Sequence, residues 1–172
     1  FVTTQLHYQF IQIAEITFQI SAPAPFRPTS FNEKLQVFFV PKRGRDLVQV
    51  HYHFSLPVEQ ERSYGRLLYE QAPWRIYHGD AGWTYVGFTG DPKAPIYQIG
   101  KMDESQREIH IYFPDTQVFE RGDLETLALI PTDQIVLTPL LAQRQACYIH
   151  ASGLIFNRAG LLFVGHSGAG KS

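Results

Sequence analysis

The sequence predicts an α+β fold in which an antiparallel, aromatic-rich β region is followed by a helix and a short apolar β unit. Aromatic residues make up 14% of the chain, and aromatic side chains favour strands. Apolar and polar residues alternate through residues 46–56, which is the pattern of a half-buried strand. In the last third of the chain, apolar residues recur near helical spacing between Asp133 and Gln145. We therefore divide the chain into a β-rich region, residues 1–125, and a second region, residues 126–172.

The first strands are interrupted by turns. Residues 6–20 alternate in part, but the phase slips at Ala14–Glu15, which indicates either a bulge or two separate strands. Three prolines between residues 21 and 28 predict an extended loop. Residues 35–40 carry a run of apolar side chains, which we interpret as a further strand.

Residues 46–56 give the clearest strand pattern. Val48 and Val50 lie on the apolar face of this predicted strand, while His51 and His53 share its polar face. A His-x-His pair on a strand can bind a metal and recurs in zinc sites, so a metal site is one interpretation. The sequence offers no obvious third ligand, and solvated strand histidines are the simpler interpretation.

A hairpin and further short strands complete the first region. Residues 73–88 contain two aromatic-rich segments around a turn rich in Gly and Asp, as in a β-hairpin. Shorter apolar segments predict strands at residues 66–69, 96–99 and 108–113. We expect these strands to form an antiparallel sheet.

The second region begins with a helix. Residues 131–133, Pro-Thr-Asp, are typical of a helix start, and Pro139 predicts a kink or a late start. Two apolar runs follow, at residues 148–156 and 161–164, with a tight turn between them at residues 157–160. The pattern predicts two strands joined by a turn.

The second of these strands leads into a phosphate-binding motif. Residues 165–172 read Gly-His-Ser-Gly-Ala-Gly-Lys-Ser, which matches the P-loop pattern G-x-x-x-x-G-K-S. The glycines allow positive φ angles, so successive backbone N–H groups can surround an anion. In such a loop the lysine reaches the β- and γ-phosphates and the serine hydroxyl binds Mg²⁺. The sequence therefore predicts ATP and Mg²⁺ as cofactors.

Composition and charge exclude several other classes of protein. The formal net charge is −1, which argues against nucleic acid or an anionic membrane as a partner. The single cysteine, Cys147, excludes an internal disulfide and a cysteine-based zinc site. The sequence has neither an uninterrupted apolar run of spanning length nor a signal-peptide pattern. We expect a cytoplasmic protein.

Residues 133–172 resemble the HPr kinase/phosphorylase family and its relatives among the phosphoenolpyruvate carboxykinase-like ATP enzymes. The shared pattern is a helix, an apolar strand that opens with His150, a turn containing Gly160, a second apolar strand and the loop G-x-S-G-x-G-K-S. The spacing from His150 to Lys171 also looks the same as in that family. The first 120 residues look more like the β-rich leader of proteins related to HPr kinases than like the N-terminal domain of those kinases.

The resemblance implies a P-loop nucleotide-binding core and an ATP-dependent kinase that phosphorylates a hydroxyl of a protein or a small molecule. It implies catalytic roles for His150, at the edge of the active site, and for Lys171, which would stabilise charge on the transferred phosphoryl group. Ser172 would ligate Mg²⁺. The residues implied in nucleotide binding are Gly165, His166, Ser167, Gly168, Ala169, Gly170, Lys171 and Ser172. The implied partners are a nucleotide and, as one option, a protein substrate with an acceptor Ser or Thr; a homo-oligomer is compatible with the sequence.

We expect this chain to be the N-terminal part of a longer protein, because it begins with Phe1 and ends at the motif residues that would bind phosphate and metal. On that interpretation the 172-residue chain is inactive by itself and binds nucleotide weakly or not at all. Two alternatives to a kinase stay open. One is a nucleotide-binding regulator or an ATPase without kinase activity, and the other is a non-catalytic, β-rich interaction module.

Overall fold

The computed structural model describes residues 5–91, 94–122, 124–128, 132–166 and 168, and these residues are mostly β, with 42% strand and 14% helix. Two compact units are present, Phe1–Asp133 and Gln134–Ser172. Among the described residues, no helix is both long enough and apolar enough to span a membrane.

The first unit contains a sheet of eight strands and two short helices. The strands are β1 (His7–Ile13), β2 (Ile16–Ala22), β3 (Asp46–His53), β4 (Arg66–Gln71), β5 (Trp74–Gly79), β6 (Gly82–Gly87), β7 (Gln98–Met102) and β8 (Glu108–Tyr112). The helices are α1 (Glu33–Gln36) and α2 (Gln117–Arg121), and a 3₁₀ turn covers Glu61–Tyr64. The order of strands across the sheet is β1-β2-β3-β8-β7-β6-β5-β4.

The interruption at Ala14–Glu15 is a turn between two strands. Both residues have positive φ, 49° and 67°, and β1 pairs with β2 in antiparallel register on either side of them. Positive φ at both central residues is the geometry of a type I′ hairpin turn, whose twist matches that of the flanking strands. Of the two interpretations of this phase slip, separate strands is the correct one.

The sheet is not wholly antiparallel, which corrects the expectation from the sequence. Among the described strands, β2–β3 and β3–β8 pair in parallel, and the other five neighbouring pairs of this sheet are antiparallel. A parallel pair requires a long crossover connection. The segment between β2 and β3 serves as that crossover, and it contains α1.

The prediction of a strand at residues 35–40 was wrong. The chain forms α1 here, and the Asn32 side chain caps it by accepting a hydrogen bond of 2.9 Å from the backbone N–H of Lys34. Leu35 is the residue that this helix buries. Strand-like contact is limited to the end of the segment, where Phe39 forms an isolated bridge to Ile11 of β1 and Phe38 and Val40 make backbone hydrogen bonds to the same strand. An N-cap asparagine followed by a glutamate in the first turn outweighed the apolar run.

The core of the first unit lies on the face of β3 that the alternation predicted. Val48 and Val50 are fully buried, and so are Ile109 and Ile111 of the neighbouring strand β8. Aromatic rings extend this core through edge contacts between Tyr52 and each of Phe113 and Phe119, as the high aromatic content suggested. The opposite face of β3 and β8 is left polar and partly exposed.

The second unit contains a helix and a two-stranded hairpin. Helix α3 (Thr132–Ala142) begins where the sequence predicted and contains Pro139. Strands β9 (Ala151–Phe156) and β10 (Ala159–Val164) pair in antiparallel register around Asn157 and Arg158, whose φ angles are 50° and 63°. The predicted pair of strands with a tight turn is therefore confirmed.

Candidate functional site

The hairpin β9–β10 places the start of the P-loop motif. Its last register pair is Ala151 with Val164. His150 directly precedes Ala151 and Gly165 directly follows Val164, so both residues lie at the same end of the hairpin. His150, Gly165 and His166 are exposed to solvent.

Within the motif, Gly168 adopts a φ of 81°, in the left-handed region that side chains other than glycine rarely tolerate. A Cβ at this position would meet none of the described atoms within 4 Å, so the backbone angle is the reason for a glycine here. Ser167, Ala169, Gly170, Lys171 and Ser172 lie outside the described residues. The roles predicted for these residues and for His150 therefore stay predictions.

A cluster of three histidines lies on the polar face of the eight-stranded sheet, in the first unit. We use the name histidine cluster for His51 and His53 of β3 together with His110 of β8. The parallel register sets His110 beside His51, and the two imidazole rings stack with centroids 4.9 Å apart. The His53 ring stacks at 5.3 Å from the His110 ring, and a hydrogen bond of 3.0 Å joins Nε2 of His53 to Nδ1 of His110.

Neighbouring side chains from β2 and β8 add hydrogen bonds and a ring contact to the histidine cluster. The Ser21 hydroxyl of β2 lies 2.9 Å from Nδ1 of His51, and the Glu108 carboxylate lies 3.2 Å from Nε2 of His110. Tyr112 stacks on His53 with ring centroids 4.4 Å apart. Every imidazole therefore has both a polar contact and a ring contact, which fixes its orientation.

The environment of the cluster disfavours protonation. Partial burial lowers the pKa of His51, and the nearby His110 lowers it further, while Glu108 acts in the opposite direction. Burial also lowers the pKa of His53, and His110 and His51 add to that effect. His51 and His53 therefore favour the neutral imidazole, because burial and the neighbouring imidazoles both oppose an added proton.

The metal interpretation of the His-x-His pair gains no support from this geometry. Among the residues that the structure describes, no group of three or more His, Cys, Asp or Glu side chains could hold a metal ion. The rings stack face to face, with angles between ring planes of 23° and 26°, rather than converging on one point.

Sequence reasoning missed His110 as the third member of the cluster. It lies 57 residues from its hydrogen-bond partner His53, and only the parallel pairing of β3 with β8 brings them together. One signal was present, since His110 sits between the apolar residues Ile109 and Ile111, at the same alternating position as His51 between Val50 and Tyr52.

Arg121 lines two cavities in the described part of the first unit. One, of about 270 Å³, is lined by Tyr97, Phe113, Pro114, Asp115, Gln117, Val118, Arg121 and Gly122. The other, of about 450 Å³, is lined by Pro28, Thr29, Phe31, Glu33, Gln36 and Arg121. None of the described residues of the P-loop motif or of the histidine cluster lines either cavity.

Comparison with known protein families, with curated proteins and with solved structures found no match to this chain.

Proposed function

We propose that this chain carries the phosphate-binding part of an ATP-dependent P-loop kinase similar to the HPr kinase/phosphorylase family. The observation that carries the proposal is the position of the motif. β10 ends at Val164, and the pattern G-x-x-x-x-G-K-S begins at the next residue. A strand that leads directly into a glycine-rich loop is the context in which this motif binds phosphate.

Three further features support the proposal. Gly168 has the positive φ that an anion-binding turn uses. His150 lies at the same end of the hairpin as the start of the loop. Both strands carry apolar side chains on both faces, which is typical of strands in the interior of nucleotide-binding sheets.

In the proposed reaction, the γ-phosphoryl group of ATP passes to a hydroxyl of a protein or a small molecule. Catalysis of this kind rests on positioning and on fixed positive charge rather than on covalent chemistry by the protein. The backbone N–H groups of the loop hold the phosphates, and the Lys171 ammonium group stabilises charge on the transferred group. The Ser172 hydroxyl is an oxygen ligand of the kind that Mg²⁺ accepts, and the ion would neutralise phosphate charge.

The first prediction is that Lys171→Ala in the full-length protein lowers ATP turnover about 100-fold or more, because a preorganised charge at the transferring phosphoryl group is lost. Lys42→Ala is the matched control, since Lys42 lies in an exposed turn and outside every predicted site. Turnover is measured as release or transfer of labelled γ-phosphate. Equal turnover in the Lys171→Ala variant and the control would contradict the proposal.

The same labelled nucleotide separates a kinase from an ATPase. A kinase delivers the label to an acceptor hydroxyl, either on a protein Ser or Thr or on a small molecule. An ATPase or a nucleotide-dependent regulator delivers it to water alone. We expect transfer to an acceptor, and complete recovery of the label as inorganic phosphate across a panel of hydroxyl acceptors would favour the ATPase.

A further inference from the structure

The two edges of the eight-stranded sheet differ. The outer edge of β1 is covered by the segment that follows α1, because Gln12 donates a 2.8 Å hydrogen bond to the Phe38 carbonyl and Val40 donates one of 3.1 Å to the Phe10 carbonyl. At the other end, β4 is hydrogen-bonded to β5, and no other described strand pairs with it. The outer backbone groups of β4 are therefore available to a further strand.

The side chains of β4 make this edge apolar as well as open. All six residues of the strand are exposed, and the consecutive residues Leu67, Leu68 and Tyr69 are 43%, 47% and 42% exposed. Sheet edges are commonly protected by proline, lysine or a bulge. β4 contains neither proline nor lysine, and its protective features are the charged residues Arg66 and Glu70 and a bulge between Leu67 and Tyr69, which increases the local twist. An open edge with three exposed apolar residues is typical of a surface that binds another strand.

The sequence of β4 is complementary to itself when reversed. If two copies of β4 run antiparallel about a two-fold axis at Leu68, Leu68 faces its own copy and Leu67 faces Tyr69. The same register sets Arg66 of each copy opposite Glu70 of the other. Apolar and oppositely charged pairs across two antiparallel strands stabilise a sheet. The pattern therefore specifies a second copy of this chain as the partner, with the same patch on both sides.

The charged side chains of β4, Arg66 and Glu70, are able to form ion pairs between two copies. Within the described part of the chain, Arg66 takes part in no ion pair. Glu70 accepts a hydrogen bond of 2.7 Å from Nε of Arg75 through its Oε1 atom. A carboxylate has a second oxygen with free lone pairs, so Glu70 can keep this contact and also accept a guanidinium from a second copy.

We propose that β4 is a dimerisation edge, at which two copies pair through an antiparallel register centred on Leu68 and join their sheets. The contact consists of one strand pair and three apolar side chains from each copy, so it lies at the small end of protein interfaces. The dimer is therefore weak and forms as the concentration rises. This inference is independent of the P-loop, since no residue of β4 belongs to the motif.

Sedimentation equilibrium of the 172-residue chain tests the proposal over micromolar to millimolar concentrations. The weight-average mass of the wild-type chain should rise from 19.7 kDa towards twice that value. Leu68→Lys should hold the mass at the monomer value, because it sets two like charges on the two-fold axis. Lys42→Glu reverses an exposed charge far along the chain from β4 and should leave association unchanged.

Charge reversal provides a test that a folding defect cannot imitate. Arg66→Glu and Glu70→Arg should each weaken self-association about tenfold or more, because each variant alone opposes like charges at two places. An equimolar mixture of the two variants should recover association, because all opposing charges are then of opposite sign. Wild-type chains that stay monomeric, a Leu68→Lys variant that still dimerises, or a mixture that does not recover would each overturn the proposal.

Discussion

At the residue scale, His110 is a neighbour that lowers the pKa of both His51 and His53. His110 lies between His51 and His53 and contacts both of their rings. The charged groups that face the cluster are Glu108 and Lys101. Glu108 lies on the same strand as His110, and Lys101 of β7 lies directly opposite His110. Lys101 is itself paired with Glu59. A proton on His51 or His53 is therefore opposed by a neighbouring imidazole and by the partial burial of the ring.

This coupling predicts an acid-sensitive free energy of unfolding. The pKa values of His51 and His53 are lower in the folded state than the ordinary histidine value of about 6.5, so the unfolded chain binds more protons as the pH falls. Their contribution to stability is complete above the unfolded pKa of about 6.5 and decreases as the pH falls through it towards the folded pKa values. Urea unfolding at a series of pH values between 5 and 8 measures how steeply the free energy of unfolding changes with pH.

The variant His110→Gln should reduce the slope of the free energy of unfolding against pH without abolishing it. The substitution removes the His110 imidazole, which is one cause of both lowered pKa values, whereas the burial that is the larger cause stays. His7→Gln is the matched control, since His7 lies in β1 and takes no part in the cluster. An identical pH dependence in His110→Gln and the wild-type chain would show that His110 does not couple to the other two imidazoles.

The cluster also shows what sequence reasoning at the residue scale can find. The polar face shared by His51 and His53 follows from alternation within one strand, and the structure confirms that alternation. His110 was missed because its contact with His53 depends on which strands are neighbours and in which register they pair. A single sequence contains little information on that long-range choice. The P-loop pattern can be recognised in the sequence because all of its residues are consecutive, and its role stays a prediction.

At the scale of elements, the hairpin β5–β6 depends on the glycine at which β6 begins. Gly82 is buried and has a φ of 104°, and a Cβ there would lie 2.2 Å from the Met102 carbonyl oxygen of β7. Both the backbone angle and the close approach of the neighbouring strand therefore require glycine.

The variant Gly82→Ala should lower the free energy of unfolding by about 2 kcal/mol or more, because it combines a strained φ with a clash against backbone. Gly100→Ala is a matched control in the adjacent strand. Gly100 is also buried, but its φ is not in the left-handed region and the nearest atom to an added Cβ is Cβ of Tyr85 at 3.9 Å. We expect a change within about 1 kcal/mol for the control. Urea denaturation of both variants measures the difference, and equal effects would contradict the assigned role of Gly82.

Elements whose signal is local were predicted well, and elements that depend on context were not. The hairpin at residues 73–88 follows from its turn rich in Gly and Asp. The break at Ala14–Glu15 follows from a phase slip in the alternation, which indicated either a bulge or two strands. The strand expected at residues 35–40 failed because Asn32 caps a short helix there, and the apolar run alone does not distinguish a helix from a strand. The parallel pairings of β3 were not foreseen, because alternation gives the face of a strand but not the direction of its neighbours.

At the scale of the whole molecule, the two units differ in how their strands are stabilised. Strands β3 and β8 each have a neighbour on both sides and bury apolar side chains on one face. In β9–β10 each described strand has one neighbour, and ten of the twelve residues are exposed. The exposed side chains include Ile155 at 84% and Leu162 at 66%. A hairpin of two strands with this little burial is marginally stable in water.

This difference predicts unequal amide hydrogen exchange along the chain. Peptides that cover β9 and β10 should exchange about 100-fold faster or more than peptides that cover β3 and β8, because opening a hairpin with little burial costs far less free energy than opening the centre of a sheet. The hairpin β1–β2 is the internal control, since its turn also has two residues with positive φ, but β2 is almost completely buried. Mass spectrometry of exchanged and digested chain gives both rates in one sample. If β9–β10 and β1–β2 were equally protected, turn geometry rather than burial would set hairpin stability in this protein, and the contrast drawn between the two units would be wrong.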